Sequence, residues 1–397
     1  MNSKKRKLGR LFKIILIIFF VLIFSVFLLW KNEITTLLSI KEIMPNNTSN
    51  KDGYVYEMTV HGDYYLEDFL KQGGAKSDKE LINFITKKIT KGLFNLSIEE
   101  TTIGCSSFYA SLENNDKIFA RNYDMTKTNV AIVHTKPKGR YKSFSTVDLK
   151  FLGVNVEKGL NSLPSKINTL AAAYTPLDGM NEKGVSVGIY MTYQGPGKKD
   201  VPTNQNDKNK PDITSTILLR LILDYASNVE EAVEIAKKYN MHDSASSSYH
   251  YMVADSSGKS AILEYLGKND REDIDGSKRE LKITYINDAN SLTQNDKYQI
   301  ATNFVVYPNY YQKGDNMNGL DRYKLIKNKL DESNGILKDE NSAMDILSIV
   351  GRRNWKDDGQ LFVTTHSVIY NNTNKTIYWI GNEHYNDEKY TYRMKFE

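Results

Sequence analysis

One cysteine occurs in the 397 residues, Cys105. Gly104 precedes it, and sixteen positions later stands the run Arg121-Asn122-Tyr123-Asp124. A cysteine that attacks an amide needs a thiolate, a base for its proton, and donors for the developing oxyanion. Two kinds of base are available. One is a histidine, but none of the six (His61, His134, His242, His250, His366, His384) is singled out by spacing. The local signatures that surround the cysteine of Cys-His proteases are also missing. The other is the α-amino group of Cys105 itself, released if the chain is cut after Gly104, since such an amine titrates near about 7.7–8.0. A glycine on the leaving side of that bond leaves its carbonyl unshielded. A lone cysteine also fits a buried, inert thiol, so the surroundings must decide.

The elements that position these residues are partly legible. "SSFYASL" and "KIFARNY" read as strands around the turn "ENND". With Asn114 and Asn115 at the turn centre, Cys105 falls opposite Asp124 and Arg121 opposite Phe108. Alternation sends Arg121 and Asp124 to opposite faces, so only a bulge or a strand end lets both serve one site. "SDKELINFITKKITKG" is a helix capped by Ser77, with Glu80 closing a capping box. "INTLAAAYTPLDGMNEKGVSVGIYMTY" reads strand, turn, strand. "QGPGKKDVPTNQNDKNKPD" reads as a surface excursion and "KNDREDIDGSKRELK" as a solvated loop. Two helices follow the excursion, "ITSTILLRLILDYA" and the Asn228-capped "NVEEAVEIAKKY". "YHYMVADSSGKSAILEYL" is a hairpin, "GLDRYKLIKNKLDES" and "DENSAMDILSIV" are helical, and the chain closes on a hairpin around "NNTNK". Strands, then helices, then strands indicate an α+β fold with antiparallel sheets.

The N-terminus has a separate meaning. Residues 14–30, "IILIIFFVLIFSVFLLW", suffice for a membrane helix of roughly 17–25 residues. Lys4, Lys5, Arg6, Lys7, Arg10 and Lys13 precede it and keep that side in the cytoplasm. No small-x-small cleavage site follows, so the expectation is an uncleaved, single-pass anchor in the cell membrane with the rest extracytoplasmic. The formal charge of +5 less the six positive charges of residues 1–13 leaves −1. The basic balance therefore reports membrane topology and gives no reason to expect nucleic acid. Without HExxH or a Cys-His cluster, no metal or other cofactor is expected. The expected organisation is a basic tip (1–13), an anchor (14–30), a linker (31–52), a leader (53–104) and a cysteine domain (105–397).

"GCSSFYASLENNDKIFARNYDM" resembles the mature start of the choloylglycine hydrolase superfamily of N-terminal-nucleophile (Ntn) cysteine hydrolases, which includes acid ceramidase-like and isopenicillin-N acyltransferase-like branches. "DGMNEKGVSVGIYMTY", "ATNFVVYPN" and "GLDRYKLI" resemble later segments in the family's order, so the likeness spans roughly residues 104–395. It implies an αββα sandwich and hydrolysis of a linear, non-peptide amide, with an apolar N-acyl substrate as the partner. It implies Cys105 as nucleophile after self-cleavage at Gly104, Asp124 orienting the freed amine, and Arg121 favouring the thiolate. It further implies Asn303 as oxyanion donor and Arg322 as organiser of the carboxylate. The second oxyanion donor falls near Tyr190 or Thr192; Met191 between them has nothing to donate. A membrane-anchored Cys-His peptidase or transpeptidase, and a non-enzymatic surface binding protein, stay open as alternatives.

Overall fold

The computed structural model describes residues 2–45, 52–96, 104–192, 201–267, 275–288, 292, 295–353 and 362–396. Parts of the expected linker (46–51), surface excursion (193–200) and charge run (268–274) lie outside the described residues.

Two large sheets carry the fold. The nine-stranded sheet runs, in spatial order, Lys41–Met44, Val55–Val60, Val130–Thr135, Ser143–Asp148, Asp178–Asn181, Ser186–Thr192, Ser248–Ala254, Ser260–Leu266 and Glu280–Tyr285. The seven-stranded sheet runs Gln299–Ala301, Gly104–Leu112, Lys117–Thr126, Phe362–Asn371, Thr376–Gly381 and Thr391–Lys395, with Ile336–Leu337 beside the cysteine strand. Pairing is antiparallel except between Val55–Val60 and Val130–Thr135 and between Ile336–Leu337 and the cysteine strand. The sheets stack face to face. Helices Ser215–Tyr225 and Val229–Lys238 cover the nine-stranded sheet, and Leu320–Glu332 and Glu340–Ile349 cover the other. The expected α+β sandwich of two stacked sheets, with an apolar helix ahead of it, is what the chain forms.

This layering explains why the cysteine strand shows no polar-apolar alternation. All but two of its nine residues are buried, because one face meets the opposing sheet and the other meets helices. Even Ser107 and, on the neighbouring strand, Asn122 are buried and must find partners inside. Asn122 does so by donating to the Leu347 carbonyl at the end of a covering helix (2.8 Å).

Three expectations are corrected. First, the hairpin register is offset by one: Cys105 lies opposite Tyr123, Ser107 opposite Arg121, and Gly104 opposite Asp124. The loop has three residues, Glu113 to Asn115, closed by the Leu112 amide on the Asp116 carbonyl. Asn115 takes the left-handed conformation (φ 68°) that such a loop needs at its last position. Second, "INTLAAAY" is helical. Ser162 caps Leu163–Asn168 and Pro164 sits in its first turn, after which Thr169–Tyr174 tightens to a 3₁₀ helix. Third, residues 31–44 are not a linker. Helix Lys31–Leu38 buries Glu33 and Thr36, and Lys41–Met44 is an edge strand. The Tyr65 hydroxyl donates to Glu33 (2.9 Å), the His61 amide to the Thr36 hydroxyl (2.9 Å), and the Trp30 indole to the Ile89 carbonyl (3.1 Å). Polar side chains that looked solvated were matched to partners far along the chain.

The apolar helix runs Asn2–Leu29, and its segment Gly9–Leu29 is long and apolar enough to cross a membrane. The expected Ser77-capped helix forms as Asp78–Ile89, with the Glu80 amide donating to the Ser77 hydroxyl (3.3 Å).

Candidate active site

Paired residues of an antiparallel hairpin share a face, so the observed register puts Cys105, Ser107, Arg121 and Tyr123 together, facing the opposing sheet. Arg121 is fully buried there. Its Nη2 donates to the Cys105 sulfur (3.3 Å) and to the Ile189 carbonyl (2.6 Å), and its Nε donates to Asp178 (2.9 Å). Its guanidinium lies over the Tyr190 ring, 4.4 Å from the centroid. A buried guanidinium needs a matched carboxylate. Asp178 supplies it, and also takes hydrogen bonds from the Tyr370 hydroxyl (2.6 Å) and the His366 ring (2.8 Å). Burial opposes its ionisation, yet His366, Arg121 and Tyr370 together hold its carboxyl down at about 2.

A second group of residues meets the backbone of Cys105. Asn303 accepts the Cys105 amide proton (3.0 Å), and Arg322 donates to the Cys105 carbonyl (2.6 Å), to Asp124 (2.9 Å) and to Asn303 Oδ1 (2.6 Å). Two donors on one Asn303 atom fix the orientation of that amide, whose nitrogen donates to the Met191 carbonyl (2.8 Å). The other oxygen of Asp124 takes the Thr364 hydroxyl (2.7 Å). Arg121 and Asp124 keep to opposite faces, as alternation requires. They reach the same residue from two sides, one at its sulfur and one, through Arg322, at its backbone. A bulge does occur, but in the neighbouring strand: Thr364 pairs with Asp124 and His366 with Tyr123, which leaves Thr365 as the extra residue.

Cys105 is fully buried in the uncut chain. Burial pushes its thiol up to about 11, with Arg121 pulling the other way and Asp124 adding to the rise. A thiol this far from ionising is a poor nucleophile at neutral pH. Gly104 packs directly on Asp124: a Cβ there would lie 3.3 Å from Asp124 Oδ2.

Of the two expected second oxyanion donors, Tyr190 gives its hydroxyl to Ser107 (2.6 Å). The Thr192 hydroxyl is buried without a hydrogen-bond partner among the described residues. Neither is hydrogen-bonded to the Cys105 sulfur. The rings of His134, His242, His250, His366 and His384 are hydrogen-bonded elsewhere, and none bonds Cys105. His366 stacks on Tyr123 from a strand two removed from the cysteine strand. Among the described residues no cluster of His, Cys, Asp or Glu is arranged to hold a metal.

Sequence reasoning passed over Asp178 and Thr364. Asp178 had a weak signal, the Asp-Gly pair that opens a strand. Thr364 had none, because strand pairing within its own sheet brings it to Asp124 from 240 residues away.

The family comparison agrees with this geometry. Residues 105–270 match the family model of linear amide C-N hydrolases, choloylglycine hydrolase family. The resemblance read from the cysteine motif is thereby borne out over this segment. A curated relative, an uncharacterized protein of Paramecium bursaria Chlorella virus 1, is 30% identical over 127 residues. That match covers 30% of this chain and 40% of the relative, so the chain spans two fifths of its length. Among solved structures, a mutant conjugated bile acid hydrolase from Clostridium perfringens is similar at a TM-score of 0.48 and 16% identity, covering 74% of this chain and 92% of that one. Penicillin V acylase from Agrobacterium tumefaciens is similar at 0.40 and 16%, covering 70% and 83%. The Caenorhabditis elegans ortholog of N-acylethanolamine-hydrolyzing acid amidase is similar at 0.38 and 17%, covering 68% and 93%.

Proposed function

We propose that this chain is a membrane-anchored, extracytoplasmic hydrolase that cleaves a linear non-peptide amide through a Cys105 thioester, after cutting itself between Gly104 and Cys105. The observation that carries this reading is the two-sided grip on one residue: Arg121 on the sulfur, and Asn303, Arg322 and Asp124 around the backbone nitrogen and carbonyl.

In the precursor the Cys105 sulfur adds to the Gly104 carbonyl, the C–N bond breaks, and the nitrogen takes a proton. Water then hydrolyses the thioester and frees the Gly104 carboxylate. The new amine keeps Asn303 Oδ1 as an acceptor. Departure of Gly104 opens space beside Asp124 Oδ2, which gives the amine a second acceptor. It also admits water to a sulfur that was sealed, which removes much of the burial holding the thiol near 11.

In turnover the amine takes the thiol proton, and the sulfur attacks the substrate carbonyl carbon. The oxyanion that forms accepts hydrogen bonds, with Asn303 as the first donor once its amide nitrogen leaves the Met191 carbonyl. The ammonium protonates the departing amine, leaving the thioester. Water attacks that thioester while the α-amine takes its proton, and the acid leaves with the thiol restored. Ile189, whose carbonyl lies beside the Cys105 sulfur (3.7 Å), also lines a small cavity with Phe151, Leu177 and Tyr249. That lining favours an apolar acyl group. The leader reaches its rim, where Asp78 accepts the Ala245 amide proton (2.8 Å).

Intact mass of the full chain in detergent, with and without Cys105→Ala, tests the reading. Two wild-type fragments, one starting at Cys105, against one uncut variant chain support it. N-acyl amides of increasing chain length then define the acyl group. An uncut wild type that hydrolyses no amide sinks it.

A further inference from the structure

Behind Asp124 sits a carboxylate that the mechanism above does not use. Glu383 follows the last residue of strand Thr376–Gly381 by two positions, and its side chain is 7% exposed. It accepts the backbone N–H groups of Arg353 (2.8 Å) and Thr364 (3.1 Å). Thr364 takes the Arg352 amide on its own hydroxyl oxygen (3.1 Å) and donates that hydroxyl to Asp124. A short chain of bonds thus joins Glu383 to Thr364, to Asp124, to Arg322 and to the carbonyl of Cys105.

Two independent features mark this as a built arrangement. Asn382 and Glu383 both adopt the left-handed conformation (φ 51° and 59°), which costs non-glycine residues energy and persists only where the surroundings enforce it. Residue 351 is glycine, and any Cβ there would collide with the Glu383 carboxylate. The turn is bent, and space is kept, so that this carboxylate fits beneath the bulge at Thr365.

We propose that Glu383 is a positioning residue for the amide hydrolysis inferred above: as a carboxylate it holds the Thr364–Thr365 bulge in the shape that aims the Thr364 hydroxyl at Asp124. The inference rests on that functional reading. Once protonated, Glu383 is a weaker acceptor for the two amides, and the aim of Thr364 relaxes. The charged groups facing it are Arg353 and Asp124, with Tyr385 beside it on its own turn. Arg322 stands behind Asp124, and Asp52 and His384 stand behind Arg353. Burial pushes the Glu383 carboxyl up to about 7, against the pull of the Arg353 and Thr364 amides and with a further push from Asp124. The switch therefore falls in the neutral range.

The test compares wild type with Glu383→Gln, which mimics the protonated acid, and with Gly351→Ala, which displaces the carboxylate while keeping its chemistry. Amide turnover and alkylation of Cys105 by iodoacetamide, read by intact mass, are followed from pH 5.5 to 8.5. The expected wild-type-to-variant ratio of kcat is near 1 at pH 5.5 and rises to about tenfold at pH 8.5, half-way near neutrality, with KM unchanged. Alkylation rates follow the same ratio, and Glu383→Asp restores part of it. A ratio that stays flat across this range, in a wild type that hydrolyses amide, overturns the positioning role alone. A wild type with no turnover and with Cys105 no more reactive than free cysteine overturns the proposed function, and this inference with it.

Discussion

A Cβ added at Gly188 would lie 2.6 Å from Nη1 of Arg121. The glycine on one sheet is therefore the space into which the arginine of the other sheet extends. It would also lie 3.0 Å from the Tyr190 hydroxyl, so the methyl of Gly188→Ala has no free direction. We expect the variant to fold with a loss of about 1–3 kcal/mol from overpacking. We expect Cys105 activity to fall more than tenfold as the guanidinium withdraws from the sulfur. Thermal melting and alkylation rate measured together check this; full reactivity at reduced stability would mean that Arg121 does not act on the thiol.

Arg121→Met removes the cation but keeps much of the volume. It leaves Asp178 buried with one partner fewer, and breaking such a pair costs about 3–5 kcal/mol. Arg121→Met combined with Asp178→Asn removes both charges, and we expect it to recover more than half of that loss without recovering activity. Denaturant unfolding separates the two effects.

Asp178 and Glu383 should tilt the pH-stability curve in opposite senses. Asp178 is held below its ordinary value, at about 2. Its contribution is present above about pH 4 and is lost as pH falls through 2, an amount on the order of 2 kcal/mol. Glu383 is raised, to about 7. Its contribution is complete below about pH 4.5 and is lost as pH rises through 7, on the order of 3 kcal/mol. Melting temperatures of Glu383→Gln and wild type should therefore diverge in favour of the variant between pH 5 and 8. Parallel curves would show that the carboxyl does not titrate there.

Arg322→Ala strips Asp124 of its ion pair and the Cys105 carbonyl of its donor in one change. We expect maturation to slow at least a hundredfold, with the uncut chain accumulating on intact-mass analysis. Thr364→Val removes one hydrogen bond to Asp124 and should slow it less, by about tenfold. Equal effects would argue that Asp124 is not the point at which both residues act.

Residues 31–44 make a further distinction. A chain lacking residues 1–44 should melt several degrees below one lacking residues 1–30, because Glu33, Thr36 and the edge strand are packed into the domain. Equal melting temperatures would restore the linker reading.

Residue type and spacing by themselves determined which atoms are candidates for chemistry. Only one cysteine exists, a glycine precedes it, and the Arg-Asn-Tyr-Asp run follows on a strand whose hairpin partner is its own neighbour. These are local facts, and local facts survive folding. Capped helices were legible for the same reason: Ser77 and Asn228 bond to amides three residues on. The register was missed by one because a left-handed Asn115 suits both a two-residue turn at Asn114-Asn115 and the observed three-residue loop Glu113 to Asn115. That slip moves every cross-strand partner.

Tertiary structure alone decided who meets the cysteine. Asp178, Ile189 and Gly188 come from the opposing sheet, Arg322 from a covering helix, and Thr364 and Glu383 from strands and turns more than 200 residues away. Apart from Ile189, which acts through its backbone carbonyl, their side chains are polar or small, so no hydrophobic period announces them. They can be buried only because stacking brings each charge to its partner. Apart from Arg322, which the family resemblance marked, sequence order carries no trace of that pairing, since the energy that enforces it arises only after the layers have closed over the site.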